Sequence, residues 1–235
     1  MSARNWDGAL RIPSLPSDSL LVVDSNVGFN KVDPNVDRAI HYQVDLTARD
    51  RPMARLTLTY HNRSRRPVGA CIQESRYGDT YADMMERCYW DYVRVYVPLG
   101  SSLVEGPDLS VPAGSLLAQN SDTPGETSFS AQPTEGEWAV WTAFFALAPG
   151  EERTLAFDYQ LPASVLDVGA DGLDHYRLRV QKQPGTMAVP LQVEVVLPPD
   201  VELVRVRPDG LPKLSTDLRQ DREFEVILRR TEGAP

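Results

Sequence analysis

Five side chains that either ligate metals or cap turns crowd the stretch LVVDSNVGFNKVDPNVDR (21–38): Asp24, Asn26, Asn30, Asp33 and Asp37, grouped about Gly28. A calcium loop needs oxygen donors at alternating positions, a glycine at the sixth place and a bidentate acid at the twelfth. Counting Asp24 as the first place puts Asn26 third, Phe29 sixth and Asn35 twelfth. The glycine and the closing acid are both absent, so an EF-hand loop is excluded. An irregular calcium site from Asp24, Asn26, Asp33 and Asp37 stays open on donor type alone. The reading these residues favour is a turn. Asn and Asp tolerate left-handed backbone and cap nearby amides, Gly28 is expected to supply a positive φ, and Asp33-Pro34-Asn35 begins a turn into the next strand.

A second acidic run, DVGADGLD, carries Asp167, Asp171 and Asp174. It has Gly172 at the sixth place, but Gly169 stands at the third and Leu178 at the twelfth. It reads as a solvated connection rather than a metal site. Two cysteines, Cys71 and Cys88, flank the polar, turn-rich segment IQESRYGDTYADMMER. They are expected to form a disulfide closing that loop, worth about 3 kcal/mol by the chain-entropy argument. Such a bond persists in an oxidising compartment. Zinc is disfavoured, because there is no C-x-x-C and His41, His61 and His175 are scattered.

Catalytic signatures are lacking. There is no G-x-S-x-G, no Walker or dinucleotide glycine pattern, and no carboxylate pair singled out for glycoside hydrolysis. No cofactor is expected. The positive hint of binding comes from aromatic residues. In CYWDYVRVYVP, Tyr92, Arg94 and Tyr96 share one strand face and Val93, Val95 and Val97 the other, with Trp90 beside them. Exposed rings at Trp90, Tyr92 and Tyr96 could stack on sugars. Against this, EWAVWTAFFAL is apolar on both faces, which favours rings buried as core.

The chain has 235 residues and a net charge of −9. Residues 101–175 hold twelve Asp or Glu against Arg153, a local charge of −11. That field repels phosphate backbones, so nucleic acid is not an expected partner. The basic cluster at Arg49, Arg51, Arg55, Arg63, Arg65 and Arg66 suits a solvated strand edge. No apolar run approaches the ~20 residues that span a bilayer, and MSARNWDGAL has no signal-peptide core. The chain as given is therefore expected to be soluble, with any export or anchoring signal outside it.

Stepwise alternation of apolar and polar residues dominates the rest. SLLVVDS, RAIHYQVDL, ARLTLTYHN, DYVRVYVP, TLAFDYQLP, HYRLRV, LQVEVVLP and REFEVILR are strand-like, bounded by turn residues. TYADMMER, opened by Asp79 or Thr80, is the one short helix expected. These strands predict an all-β, immunoglobulin-like β-sandwich. Val93 to Val97 with Pro98 and Leu103-Val104 aligns without gaps on Val193 to Leu197 with Pro198 and Leu203-Val204. This echo suggests two tandem or closely packed modules, 1–165 and 166–235, the second leaning on the first; one merged sandwich is the alternative. Residues 105–136 read as a long polar loop.

Several of these motifs together, LLVVDSNVGFNK, RAIHYQVDL, CYWDYVRVYVPLGSSLV and RVQKQPGT, resemble the C-terminal region of the bacterial domain-of-unknown-function family 4012. The resemblance runs from Trp6 to Arg229. It implies the extracytoplasmic part of a membrane-anchored envelope protein encoded near surface-polysaccharide genes, and it transfers no catalytic residues. The expectation is therefore a non-catalytic interaction or scaffolding module at the bacterial surface. Its partner would be a cell-wall or surface polysaccharide or another envelope protein, with membrane contact only through a segment outside this chain. A carbohydrate-binding module acting on envelope polysaccharide is the alternative, and part of an envelope-polysaccharide enzyme the second.

Overall fold

Alternation in the sequence becomes alternation of burial. Along β2 (Val36–Asp45) Ile40, Tyr42 and Val44 are buried while Asp37 and His41 face water; along β3 (Met53–Asn62) Ala54, Leu56, Leu58 and Tyr60 are buried. This is the two-residue repeat of a sheet with one wet face. The structure, a computed structural model, describes residues 9–11, 15–66, 69–75, 77–109, 115 and 129–231, with backbone alone at 129–134.

The strands build two sheets. The larger is eight-stranded. It runs in the order β12 (Val201–Arg207), β14 (Arg222–Arg230), β10 (Asp174–Gln181), β1 (Asp18–Val23), β4 (Tyr89–Pro98), β7 (Trp138–Leu147) and β6 (Phe129–Glu135), with β9 (Leu166–Val168) also pairing with β10. The smaller has six: β13 (Lys213–Asp217), β11 (Pro190–Val196), β2, β3, β8 (Glu152–Gln160) and β5 (Ser102–Glu105). Leu20, Val93, Val95, Trp141 and Phe145 of the larger sheet join Tyr42, Leu56, Leu58, Phe157 and Tyr159 of the smaller in one buried cluster. Each large side chain so buried contributes about 1.5–3 kcal/mol.

The all-β two-sheet sandwich is thus as the alternation predicts. Its strand order differs from the seven- or nine-strand immunoglobulin arrangement. β1 pairs parallel with β10, and β11 pairs parallel with β2. In both sheets, strands from before and after residue 166 lie side by side. The echoed segments fall in different sheets, Val93 to Val97 in β4 and Val193 to Val195 in β11.

Part of the expected 105–136 loop is a strand: β6 forms the edge of the larger sheet beside β7. Pro133 is tolerated there because the register shifts between Gln132 and Glu135, and an edge strand need not donate on both sides. Residues 110–114 and 116–128 of that segment lie outside the described residues. The short helix is α1 (Tyr81–Met85). Thr80 caps it, its side chain accepting from the Asp83 amide while Asp83 reaches back to the Thr80 amide.

The interior is not purely apolar. Asp18, fully buried at the start of β1, accepts from Tyr42 Oη and Tyr176 Oη at 2.7 Å each and from the Ser19 amide at 2.7 Å. Tyr159 Oη donates to Tyr42 Oη at 3.1 Å. One carboxyl group therefore ties β1 and β10 of one sheet to β2 and β8 of the other. A second tie is Asp174 on β10, which pairs with Arg49 of the β2–β3 turn and with Arg230 at the end of β14.

Burial pushes Asp18 up from 3.8 to about 6, against the opposing pull of its tyrosine and amide donors. Between those values the folded chain holds a proton that the unfolded chain has released. Stability from this group is therefore full below the unfolded value and falls as pH rises, by about 3 kcal/mol for a shift of this size. Asp18→Asn should remove that dependence. In urea melts, wild-type stability minus variant stability should drop by about 3 kcal/mol from about pH 4 to about pH 7, whereas parallel curves would mean the group is not held protonated.

Candidate functional site

Where β1 ends, its core-facing pattern ends on a second carboxylate. Asp24 Oδ1 accepts from Tyr60 Oη at 2.6 Å, and Arg38 Nη1 stands 3.3 Å from Asp24 Oδ2. Arg38 Nη2 donates to Tyr89 Oη at 3.0 Å. Asp91 of β4, completely buried, accepts from the Ser25 amide at 2.9 Å. Burial first, and the Asp24 charge second, push Asp91 well above the usual carboxylate range. Arg38 beside the two carboxyl groups supplies the opposite charge that ionisable groups in a core require. The cavity beside Asp24, Arg38 and Tyr60 measures ≈ 20 Å³, about one water's space. Among the described residues the cluster faces no substrate-sized cleft. What it does is fix the point and direction at which the chain leaves β1.

The loop that leaves there is organised by Asn26. Its Oδ1 accepts from the Gly28 amide at 3.0 Å, and its Nδ2 donates to Asn30 Oδ1 and Asp33 Oδ2, both at 2.8 Å. Asn30 in turn accepts from the Val32 amide and donates to the Cys88 carbonyl at 2.9 Å. The turn reading of 21–38 therefore matches the loop. The expected role of Gly28 does not: it does not adopt a positive φ. It must be glycine because a Cβ would sit 2.3 Å from Asn30 Nδ2 and 2.9 Å from Trp90 Cδ1. Of the calcium candidates, Asp24 serves Tyr60 and Arg38, Asn26 and Asp33 bond to each other, and Asp37 pairs with Arg63 at 2.9 Å. Among the described residues no group of three or more His, Cys, Asp or Glu is placed to hold a metal ion.

A second loop lies against the first. Cys71 and Cys88 are joined by a disulfide, with their Cα atoms 5.9 Å apart. The bridge packs on Trp90, which stacks on Phe144 with ring centres 6.1 Å apart. Hydrogen bonds stitch the two loops. Gln73 Nε2 donates to the Val27 carbonyl at 2.9 Å, Arg87 Nη1 to the Phe29 carbonyl at 2.7 Å, and the Lys31 amide to the Met84 carbonyl at 3.1 Å. Arg87 is itself paired with Asp79. The Gln73 amide also donates to the Ser115 carbonyl at 2.7 Å.

This braced structure carries apolar side chains on its outside. Val27, Phe29 and Ile72 are 43%, 47% and 50% exposed, and Tyr77 and Tyr81 further along the second loop are more so. Phe29 and Ile72 line one small hollow together with Trp90. Asn30, Gln73, Glu74 and Arg87 line the same hollow.

The aromatic candidates are placed differently from a stacking platform. Trp90 and Tyr96 are 2% and 4% exposed, and Tyr92 is half-buried. Trp90 lies under the disulfide, and Tyr96 packs with Leu21, Trp138 and Val140 on the outer face of the larger sheet. The arginines of the basic cluster have acidic neighbours: Arg49 pairs with Asp174, Arg55 with Asp158, Arg63 with Asp37 and Arg66 with Asp83, while Glu86 accepts from the Arg65 amide.

Sequence reasoning missed Asp18, and Arg38, Tyr60 and Asp91, as members of two buried polar clusters at the two ends of β1. A signal existed. Asp18, Leu20, Val22 and Asp24 occupy alternate positions, so both acids fall on the core face of β1. Nothing in the residue types marked Phe29 and Ile72 as exposed.

No family model matches the chain, and no curated protein does. Among solved structures, one similar chain is a putative nutrient binding protein of Legionella pneumophila subsp. pneumophila str. Philadelphia 1. It is 11% identical, with a TM-score of 0.40, covering 91% of this chain and 71% of that one. No helix among the described residues is long and apolar enough to cross a membrane.

Removing the bridge by Cys71→Ser with Cys88→Ser should cost about 3 kcal/mol in chemical melts. Amide exchange should then quicken at Val27 and Lys31 as well as at Gln73; quickening at Gln73 alone would show that the loops are not coupled. Calcium against a chelator should leave the melting temperature unchanged, and a rise with calcium would return Asp24, Asn26, Asp33 and Asp37 to consideration as ligands.

Proposed function

We propose that this chain is a non-catalytic, extracytoplasmic interaction module that docks another protein of the cell envelope through its paired loops. The observation that carries the reading is the side-by-side exposure of Val27, Phe29 and Ile72 on loops bonded to each other and closed by the Cys71–Cys88 disulfide. Exposed apolar side chains cost solubility and mark contact sites when clustered. Holding them on a braced backbone lowers the ordering entropy lost on binding. Aliphatic and phenyl groups clustered on two adjoining loops suit the apolar side chains of a protein surface.

The disulfide supports an oxidising compartment. The resemblance to family 4012 agrees with that compartment and adds membrane anchoring of the whole protein. A sugar platform on Trp90, Tyr92 and Tyr96 is the weaker reading, since two of the three rings lack a free face. An enzymatic role for Asp24 and Asp91 is weaker still, because a space of ≈ 20 Å³ admits no substrate.

A photo-crosslinking residue at Ser75, exposed on the second loop, in the full chain displayed in its native envelope, tests the proposal. A discrete, protease-sensitive adduct is expected, reduced at least about tenfold by Phe29→Ser with Ile72→Ser. Those exposed substitutions should leave folding stability within about 0.5 kcal/mol. No adduct, or an adduct indifferent to both substitutions, would overturn the docking surface.

A further inference from the structure

The larger sheet ends on β12, and the far side of that strand is open. Among the described residues β12 pairs with β14 alone, so its other edge presents unpaired backbone N–H and C=O groups. Glu202, Leu203, Val204 and Arg205 are all exposed, the two apolar members at 36% and 39%. Sheet edges are normally blunted by charges and bulges. β12 carries both, and the order in which they come matters.

Against β14, Leu203 lies opposite Leu228 and Arg205 opposite Ile227, with the register shifting between them. Leu203 and Val204 therefore fill one place of the ladder together, as the two residues of a bulge do. Counted in ladder places, the strand extends from that bulge as two matched arms. One place away stands Glu202 on one side and Arg205 on the other, both exposed on the outer face. Two places away stand Val201 and Val206, both against the core. The arms are alike in polarity at each place and opposite in charge. Glu202 pairs within its own chain with Arg229 at 3.1 Å, both side chains more than half exposed, whereas Arg205 makes no ion pair among the described residues.

We infer that β12 joins β12 of a second copy of this chain, antiparallel about a twofold axis through the bulge, so that the two larger sheets run into one. A twofold interface is self-complementary. In an antiparallel pair related by such an axis one ladder place faces itself, and places equally far to either side face each other. With the bulge on the axis, Glu202 faces the partner's Arg205 and Val201 faces the partner's Val206, each contact made twice. Leu203 and Val204 meet their own counterparts at the centre and leave water. The neighbouring registers fail on charge. An axis through Glu202 or through Arg205 sets that group against itself. An axis through Val201 sets Asp200 against Glu202, and one through Val206 sets Arg205 against Arg207. Like charges directly opposite are destabilising, so of these registers only the one centred on the bulge pairs unlike charges. β12 shares no residue with the paired loops, so either surface can stand if the other fails.

Sedimentation equilibrium of the full chain across the micromolar range reads the association directly, and a monomer–dimer equilibrium is expected. Glu202→Arg places arginine against arginine across the axis and should weaken the dimer at least about tenfold. Arg205→Glu places carboxylate against carboxylate and should do the same. Glu202→Arg combined with Arg205→Glu restores unlike charges at both contacts and should bring the dimer back. All three variants alter exposed side chains, and circular dichroism should show each of them folded. A chain that sediments as a monomer throughout, single reversals without effect on a dimer, or a double variant no tighter than the singles would each overturn the proposal.

Discussion

The placement of β1 governs the rest of the molecule. It is a short strand with a buried carboxyl group at each end of its core-facing row, Asp18 before Leu20 and Val22, and Asp24 after them. Each acid is met by a tyrosine hydroxyl from the opposite sheet, Tyr42 for the first and Tyr60 for the second. An ionisable group sealed in a core is costly unless it is fully hydrogen-bonded. The two sheets therefore have one relative position at which both acids are satisfied. Hydrophobic packing alone tolerates sliding, whereas two directional clamps at either end of one strand do not. β1 is also the strand at which β4, from early in the chain, meets β10, from late in it.

The same device serves the loops. The Asp24–Asp91–Arg38 cluster aims the chain as it leaves the sheet, Asn26 folds it, and the disulfide with Gln73 and Arg87 holds the second loop against it. So many fixed polar contacts beneath a few exposed apolar side chains make sense as preparation for contact, where rigidity limits the entropy lost on association. The cost is borne in the interior, where burial holds Asp18 and Asp91 above the usual carboxylate range. Burial dominates both shifts, and in both cases the folded state gains relative stability as pH falls.

The loop surface is built from irregular backbone and would be hard to assemble without the covalent bridge. The outward rows of β10 and β14 are ordinary sheet geometry by contrast, with side chains brought into ranks by antiparallel register.

Eight of the fourteen strands among the described residues were legible. Period-two alternation in RAIHYQVDL or ARLTLTYHN has one stable outcome, a pleat with one dry face, and local pattern is enough to specify it. The α1 cap at Thr80 and the pairing of Cys71 with Cys88 were legible for the same reason, since few residues and short separations are involved. β6 was not, because an edge strand with a proline and a polar composition owes its existence to the neighbour it pairs with. Gly28 was recognised as special but for the wrong cause, since the crowding by Asn30 and Trp90 comes partly from a residue sixty-two positions away. Trp90 and Tyr96 show the limit most clearly. Their strand face could be read from alternation, but whether that face is wet depends on what else lies over it. The sequence by itself determined most of the long strands, their faces and the covalent link. Only the tertiary structure decided which acids share a core, which rings are covered and which apolar side chains stay in water, because burial is a property of the neighbours that distant segments bring, not of the residue itself.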